Sequence, residues 1–193
     1  MAGGRERRAV PTTGGMNRFQ RKGTIMKKDV MILTGAGQIG LAIARRVGYG
    51  MTIIVGDKSP ENSAKTAKIL NEAGFDALPL EMNLASRQSI QELIAEARKF
   101  GEITRLVNAA GVSPSQASVE TILKVDLYGT AVLLEEVGRV IAAGGSGVTI
   151  SSQSGHRMEA LGAEADELLA ATPAEELLSL EMLQPENIRD TLH

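Results

Sequence analysis

The chain has 193 residues, which at roughly 150 residues per domain fits one domain with an appendage. Apolar residues make up 43% and charged residues 23%, a globular balance that excludes wholesale disorder. With no cysteine, no Trp and only His156 and His193, disulfides, thiolate or histidine metal cages and an aromatic base-stacking platform are excluded.

No apolar run reaches the roughly 18 residues of a membrane helix, and no secretory signal opens the chain. The expectation is a cytoplasmic protein with no metal site and no nucleic-acid or membrane partner. The net charge of −2 hides a split. Residues 1–28 carry a net +7 and the remainder a net −9. A basic arm can signal nucleic-acid or membrane contact or an organelle transit peptide. This one is glycine-rich and lacks an apolar period, so it reads as an extension ahead of the fold, without assigned function.

From Asp29 onward strand-like runs alternate with helical patterns, which predicts βαβ units and a doubly wound parallel sheet. Val30 to Leu33 is the first strand, and it runs into Thr34-Gly35-Ala36-Gly37-Gln38-Ile39-Gly40. A helix from about Ile39 to Val47 is expected to bury Ile39, Ile43 and Val47. Thr52 to Val55 is the second strand, ending at Gly56-Asp57. Ser59-Pro60 caps a second helix that stops at Gly74, since Pro in the first turn gives up no hydrogen bond.

A short strand near Ala77–Leu80 follows, then a helix from a Ser86 cap to Phe100. Leu106-Val107 forms strand four, ahead of Asn108-Ala109-Ala110-Gly111. One long helix is expected from about Ser118 to Ala143, with Ile122, Val125, Val132, Leu133, Val137 and Val140 on its apolar side. Val148 to Ile150 is strand five, ending at Ser151-Ser152. The domain thus runs over 29–156. Residues 157–193 hold nine acidic and two basic residues and read as an acidic helical insertion or tail, broken at Pro173 and Pro185.

The G-x-G-x-x-G run lies between strand and helix, where a dinucleotide site needs it. Gly35 permits the tight turn, Gly37 lets the backbone approach a pyrophosphate, and Gly40 lets helix and strand pack closely. The helix N-terminus, opening with Gln38 and Ile39, supplies N–H donors and a partial positive charge. Asp57, 22 residues after Gly35, can accept hydrogen bonds from a ribose. Its charge would repel a 2′-phosphate, which favours NAD over NADP, and Lys58 beside it softens that preference.

From Val30 to Gly155 the chain resembles the short-chain dehydrogenase/reductase family. The signals are the glycine loop, Asp57, Asn83-Leu84, Asn108 to Gly111, Val125-Asp126-Leu127-Tyr128-Gly129, and Val148 to Ser152, in family order. The resemblance implies a Rossmann-like fold, a nicotinamide cofactor and a small alcohol or carbonyl substrate; a homo-oligomer is compatible with it. It implies that Asn83, where members usually have Asp, and Leu84 line the adenine pocket. Asn108, Ala109, Ala110 and Gly111 would support the sheet and border the cofactor. Ser152 matches the serine that hydrogen-bonds the reacting oxygen, and Asp126 stands where the family has an asparagine holding a relay water.

Two departures stand out. The loop from Thr34 is one residue shorter than the family's T-G-x-x-x-G-x-G. The family's catalytic Y-x-x-x-K has no counterpart, since no Tyr follows Tyr128 and no Lys follows Lys124. The sequence therefore reads as lacking the C-terminal part of the fold. The leading expectation is an oxidoreductase moving hydride between NAD and an alcohol or carbonyl carbon. The alternative is a catalytically silent dinucleotide-binding protein that acts as a sensor or interaction module. An unrelated dinucleotide enzyme sharing only the glycine run is opposed by the pattern at Asn108–Gly111 and Ser152.

Overall fold

A computed structural model of the chain describes residues 28–157, 159–184 and 186–188. The basic arm over 1–27, the expected break at Pro185 and residues 189–193 lie outside them. Strands β1 (Lys28–Thr34), β2 (Thr52–Asp57), β3 (Asp76–Glu81), β4 (Gly101–Asn108) and β5 (Ser146–Thr149) form one parallel sheet in the order β3-β2-β1-β4-β5. Helices α1 (Gln38–Val47), α2 (Pro60–Glu72) and α3 (Arg87–Ala97) connect the first four strands. This is the expected Rossmann-like, doubly wound α/β architecture.

Successive side chains of a strand point to opposite faces, and β1 shows why both faces are covered. Val30 and Ile32 enter a cluster with Ile90 and Leu93 of α3, while Met31 and Leu33 enter a second cluster with Leu41 of α1 and Leu70 of α2. All four β1 residues are fully buried. Each such side chain contributes about 1.5–3 kcal/mol relative to exposure, so β1 anchors both layers. The helix starts follow the predicted caps. Ser59 Oγ accepts the Asn62 N–H at 3.2 Å and Ser86 Oγ accepts the Ser89 N–H at 3.3 Å. Pro79 sits inside β3, which is tolerable because β3 is an edge strand.

Two expectations are corrected. Helix α1 buries Gly40, Leu41 and Ala44, leaves Ile43 half-buried, and exposes Ile39 (58%) and Val47 (41%). The helix lies so close to the sheet that Gly40 and Ala44, with Leu41, form its inner face in place of the β-branched residues. A β-carbon on Gly40 would stand 2.5 Å from the Gly35 carbonyl oxygen. The long helix is also not uniform. It consists of α4 (Val119–Ile122), a π-helical stretch over Leu123–Gly129, and α5 (Thr130–Gly138). Gly129 is the physical reason we assign. A β-carbon there would lie 2.6 Å from the Leu84 carbonyl oxygen, so the helix is pressed onto that backbone and accommodates it with a wider turn. Strand bounds differ modestly: β4 starts at Gly101 and β5 at Ser146.

The acidic segment carries α6 (Ala163–Ala171), which ends ahead of Pro173, and 3-10 turns over Ala174–Ser179 and Glu181–Leu183. Leu177 is 3% exposed, and Ala174 packs on the cluster shared by α3 and α5. Arg87 ties the three pieces together. Its Nε donates to Glu175 at 2.6 Å and its Nη2 to Glu135 at 2.7 Å, while Nη1 donates to Glu136. These contacts hold the Glu135 and Glu175 carboxyls below, and the Arg87 guanidinium above, their ordinary ranges. Tyr128 Oη donates to Glu175 at 3.1 Å. Between the segment and α4 lies an apolar cavity of about 380 Å³.

If Leu177 docks the segment as this packing indicates, Leu177→Ala lowers the unfolding free energy by about 2–5 kcal/mol in urea denaturation. A midpoint unchanged within error would show that the segment does not share the core.

Candidate functional site

In a sheet ordered β3-β2-β1-β4-β5, the chain leaves β3 and returns to the other side of β1. The carboxyl ends of strands at that reversal are where open α/β sheets bind ligands. There the protein opens a crevice of about 550 Å³.

Gly35 has φ +87°, a conformation that strains any side chain. A β-carbon on it would also lie 2.4 Å from the Ala110 nitrogen, so the loops after β1 and β4 can meet only over a glycine. Gly37, by contrast, has nothing within 4 Å of where its β-carbon would be. It caps α1 without a side chain, which leaves the helix N-terminus and its partial positive charge facing open space. A pyrophosphate fits this cradle: room above Gly37, backbone donors, and favourable charge.

The loop is gripped from two sides at Ala36. Its N–H donates to Asp57 Oδ2 at 2.8 Å, and its carbonyl accepts from the Thr66 hydroxyl at 2.7 Å. Asp57 Oδ1 takes the Ser59 N–H at 2.8 Å, so the carboxylate is fixed at the crevice by two backbone donors. An ionised carboxylate has about four acceptor positions, which leaves it capacity for ribose hydroxyls.

Of the sequence-predicted cofactor residues, Gly35, Gly37, Gln38, Asp57 and Lys58 line the crevice on one side. Asn83, Leu84, Ala109, Ala110 and Gly111 line it on the other. Thr34, Ile39, Gly40 and Asn108 do not. Asn108 is buried beneath it, accepting the Thr34 hydroxyl at 2.7 Å and donating to Thr130 Oγ1 at 3.2 Å. That pair fastens β1 to β4 and to α5, supporting the wall from below.

Asp126 and Ser152 also stand outside the lining. Asp126 Oδ1 accepts the Val112 N–H at 3.0 Å, behind a wall formed by Val112, Thr121 and Val125. Burial pushes its carboxyl above the ordinary range, and the Val112 N–H partly offsets this. Ser152 lies exposed just past β5, where its Oγ accepts the Ser154 N–H at 3.1 Å. For Tyr128, burial and then the Glu175 acceptor raise the phenol above its ordinary value, the reverse of what an activated proton donor requires.

Sequence reasoning missed the α2 contribution. Asn62, Lys65, Thr66 and Ile69 all line the crevice. They follow i, i+3, i+4, i+7 spacing, so one helix face carries them. The signal was a polar stripe continuous with the buried face of α2. Among the described residues, no group of three or more His, Asp or Glu gathers in a metal-binding arrangement, and no helix is long and apolar enough to cross a membrane.

Comparison with known proteins agrees with this geometry. Residues 29–164 match the family model described as short chain dehydrogenase. The chain is 35% identical over 133 residues to the short-chain dehydrogenase/reductase bsc3 of Alternaria brassicicola, covering 69% of this chain and 48% of that protein. It is 31% identical over 140 residues to the short-chain reductase NovJ of Streptomyces niveus, covering 67% and 53% respectively. The chain thus spans about half the length of these curated relatives.

Among solved structures, a Serratia marcescens short-chain dehydrogenase/reductase variant superposes with a TM-score of 0.59 at 22% identity, over 80% of this chain and 65% of that one. A variant of actinorhodin polyketide ketoreductase with NADPH gives 0.59 at 27% identity, over 78% and 61%. A Burkholderia phymatum enzyme in complex with NAD gives 0.54 at 23% identity, over 61% and 46%. With the model match covering most of the chain and the sheet order in agreement, the chain belongs to the short chain dehydrogenase family.

Proposed function

We propose that the crevice binds a nicotinamide dinucleotide, NAD(H) in preference to NADP(H), for hydride transfer between the cofactor and an alcohol or carbonyl carbon. The observation that carries this reading is Asp57, held by two backbone donors at the mouth of the crevice and itself holding the glycine loop. The α1 N-terminus and Gly37 receive the pyrophosphate, Asp57 the adenosine ribose, and Asn83 with Leu84 the adenine edge. Ala109, Ala110 and Gly111 border the path toward the nicotinamide. The bound cofactor supplies the hydride chemistry itself.

At the reacting end, Ser152 and Asp126 are the groups we assign to the substrate oxygen and its proton. Ser152 accepts one hydrogen bond from Ser154, which leaves its own proton free to donate. Asp126 spends Oδ1 on Val112, and Oδ2 remains for a water. Neither lowers the barrier as an activated phenol would. A silent dinucleotide-binding role is favoured by one observation, that the Ser152 hydroxyl is engaged as a turn cap on Ser154.

Isothermal calorimetry tests the cofactor. NADH should bind about ten- to a hundredfold more tightly than NADPH, the equivalent of one hydrogen bond to a charged group at 1.5–3 kcal/mol. Asp57→Ala should weaken both ligands, because the loop loses its anchor, and erase most of the ratio between them. Tighter NADPH binding by the unaltered chain would overturn the assignment.

NADH oxidation over a panel of ketones and aldehydes should proceed about 10²- to 10⁴-fold below the rates of Tyr-x-x-x-Lys-containing relatives, the usual contribution of general acid–base catalysis. Relative-like turnover would mean that another residue of this chain is the acid.

For Asp126, burial destabilises the charged form, so the folded state holds the proton more tightly than the unfolded chain does. The resulting cost is absent below the unfolded carboxyl range and complete once pH exceeds the raised folded value. Asp126→Asn keeps an acceptor for Val112 and removes the charge. Its melting temperature should therefore rise relative to the unaltered protein from acid toward neutral pH; a difference independent of pH would show that the carboxyl is not desolvated.

A further inference from the structure

The apolar cavity between the acidic segment and α4 shares no lining residue with the dinucleotide crevice. The two are divided by α4 and the π-helical stretch that follows it. Thr121 and Val125 line the crevice, whereas Val119, Ile122 and Leu123 line the cavity. The other wall comes from Leu169 of α6 and from Met182 and Leu183 of the last 3-10 turn. These three lie beyond residue 164, where the match to the short chain dehydrogenase family ends.

We propose that this cavity is a second ligand site, which takes a neutral amphiphile: an alkyl chain between the two walls and a hydroxyl end held at Asn187. Protein interiors seldom leave voids larger than a water, because apolar walls that face empty space lose their dispersion contacts. An apolar cavity of about 150 Å³ takes up benzene, so 380 Å³ corresponds by proportion to about fifteen carbon atoms. The walls are aliphatic, and the flexible Met182 adapts them to a chain. The lining holds no charged side chain, and its one amide is Asn187. Asn187 Nδ2 donates to the Glu181 carbonyl at 2.7 Å, which leaves the amide oxygen to accept from a ligand hydroxyl. Residues 157–193 carry nine acidic and two basic side chains, so an anionic ligand would meet repulsion around the site and no ionic partner within it. The site is independent of the dinucleotide reading.

The test is calorimetry of 1-decanol, 1-hexanol and decanoate on the unaltered chain, Val119→Phe, Leu169→Phe and a control, Leu168→Phe. Leu168 is exposed on α6 and stands outside the lining. Decanol should saturate a single site and bind about a hundredfold more tightly than hexanol, since each added methylene is worth roughly fourfold. Decanoate should bind about tenfold more weakly than decanol, or weaker still. Val119→Phe and Leu169→Phe fill the space from opposite walls. Each should weaken decanol about tenfold and raise the melting temperature of the ligand-free protein, while Leu168→Phe changes neither.

Methyl resonances locate the ligand without altering the protein. Those of Ile122 and Leu183 should move on addition of decanol, with or without NADH, and those of Ile32 in the core should stay. Decanoate binding as tightly as decanol would overturn the ligand class. Absence of saturable decanol binding, displacement of decanol by NADH, or unmoved Ile122 and Leu183 resonances would each overturn the site itself.

Discussion

Everything at the carboxyl edge of this sheet depends on how closely two backbone loops can approach. Gly35 turns at positive φ with the backbone of Ala109 and Ala110 where a side chain would begin. Ala109 N–H donates to the Thr34 carbonyl, and Gly35 N–H to that of Gly56, so three strand ends are laced together at one point. A side chain at position 35 would push the loop after β4 away and open the crevice floor. The Thr34–Asn108 hydrogen bond directly below is buried and has no water to replace it, so the lacing is rigid from beneath as well.

Charge organises the α3–α5 side of the sheet. Arg87 opens α3 and reaches Glu135 and Glu136 on α5 and Glu175 on the acidic segment. The pairs to Glu135 and Glu175 are exposed enough to add little net stability, whereas Glu136 is nearly buried, and three acceptors around one planar guanidinium fix its orientation. The adhesion comes from the buried Leu177 and from Ala174 packed against the core cluster. Glu175 then passes the constraint to Tyr128, which lies two residues from Asp126 in the π-helical stretch. The acidic segment is thus mechanically continuous with the wall that holds Val112.

The sheet and its crossovers were legible because β1 to β4 alternate cleanly with capped helices and carry strong apolar runs. The glycine loop and Asp57 were legible because backbone geometry demands those residue types. The inner face of α1 was not, since β-branched residues usually mark a buried stripe and here the approach distance selected Gly40 and Ala44 instead. Nor was the π-helical stretch, whose cause is a contact between Gly129 and Leu84, 45 residues away in sequence. Lys65 and Thr66 stayed hidden for a similar reason. A polar residue on a helix face looks solvated until the neighbouring loop is placed beside it.

The proposed function assigns binding and proton handling to different parts of this chain. Every group assigned to the dinucleotide lies between Gly35 and Gly111, held by contacts among β1 to β4 and their helices and, at Asn108 and Leu84, by contacts with Thr130 and Gly129. The groups assigned to the proton lie later, at Asp126 and Ser152. Of these, Asp126 is built into a wall, whereas Ser152 rests beyond a strand that is exposed along its whole length. The first set rests on the loops after β1, β2 and β4, with Asn108 beneath them tied onward to Thr130 of α5. Hydride transfer needs the second set positioned within hydrogen-bond reach of one oxygen, and a hydroxyl on an exposed turn does not meet that demand by itself. On the proposed reading, cofactor affinity is therefore separable from turnover, with Asp57 governing the first and the surroundings of Ser152 the second.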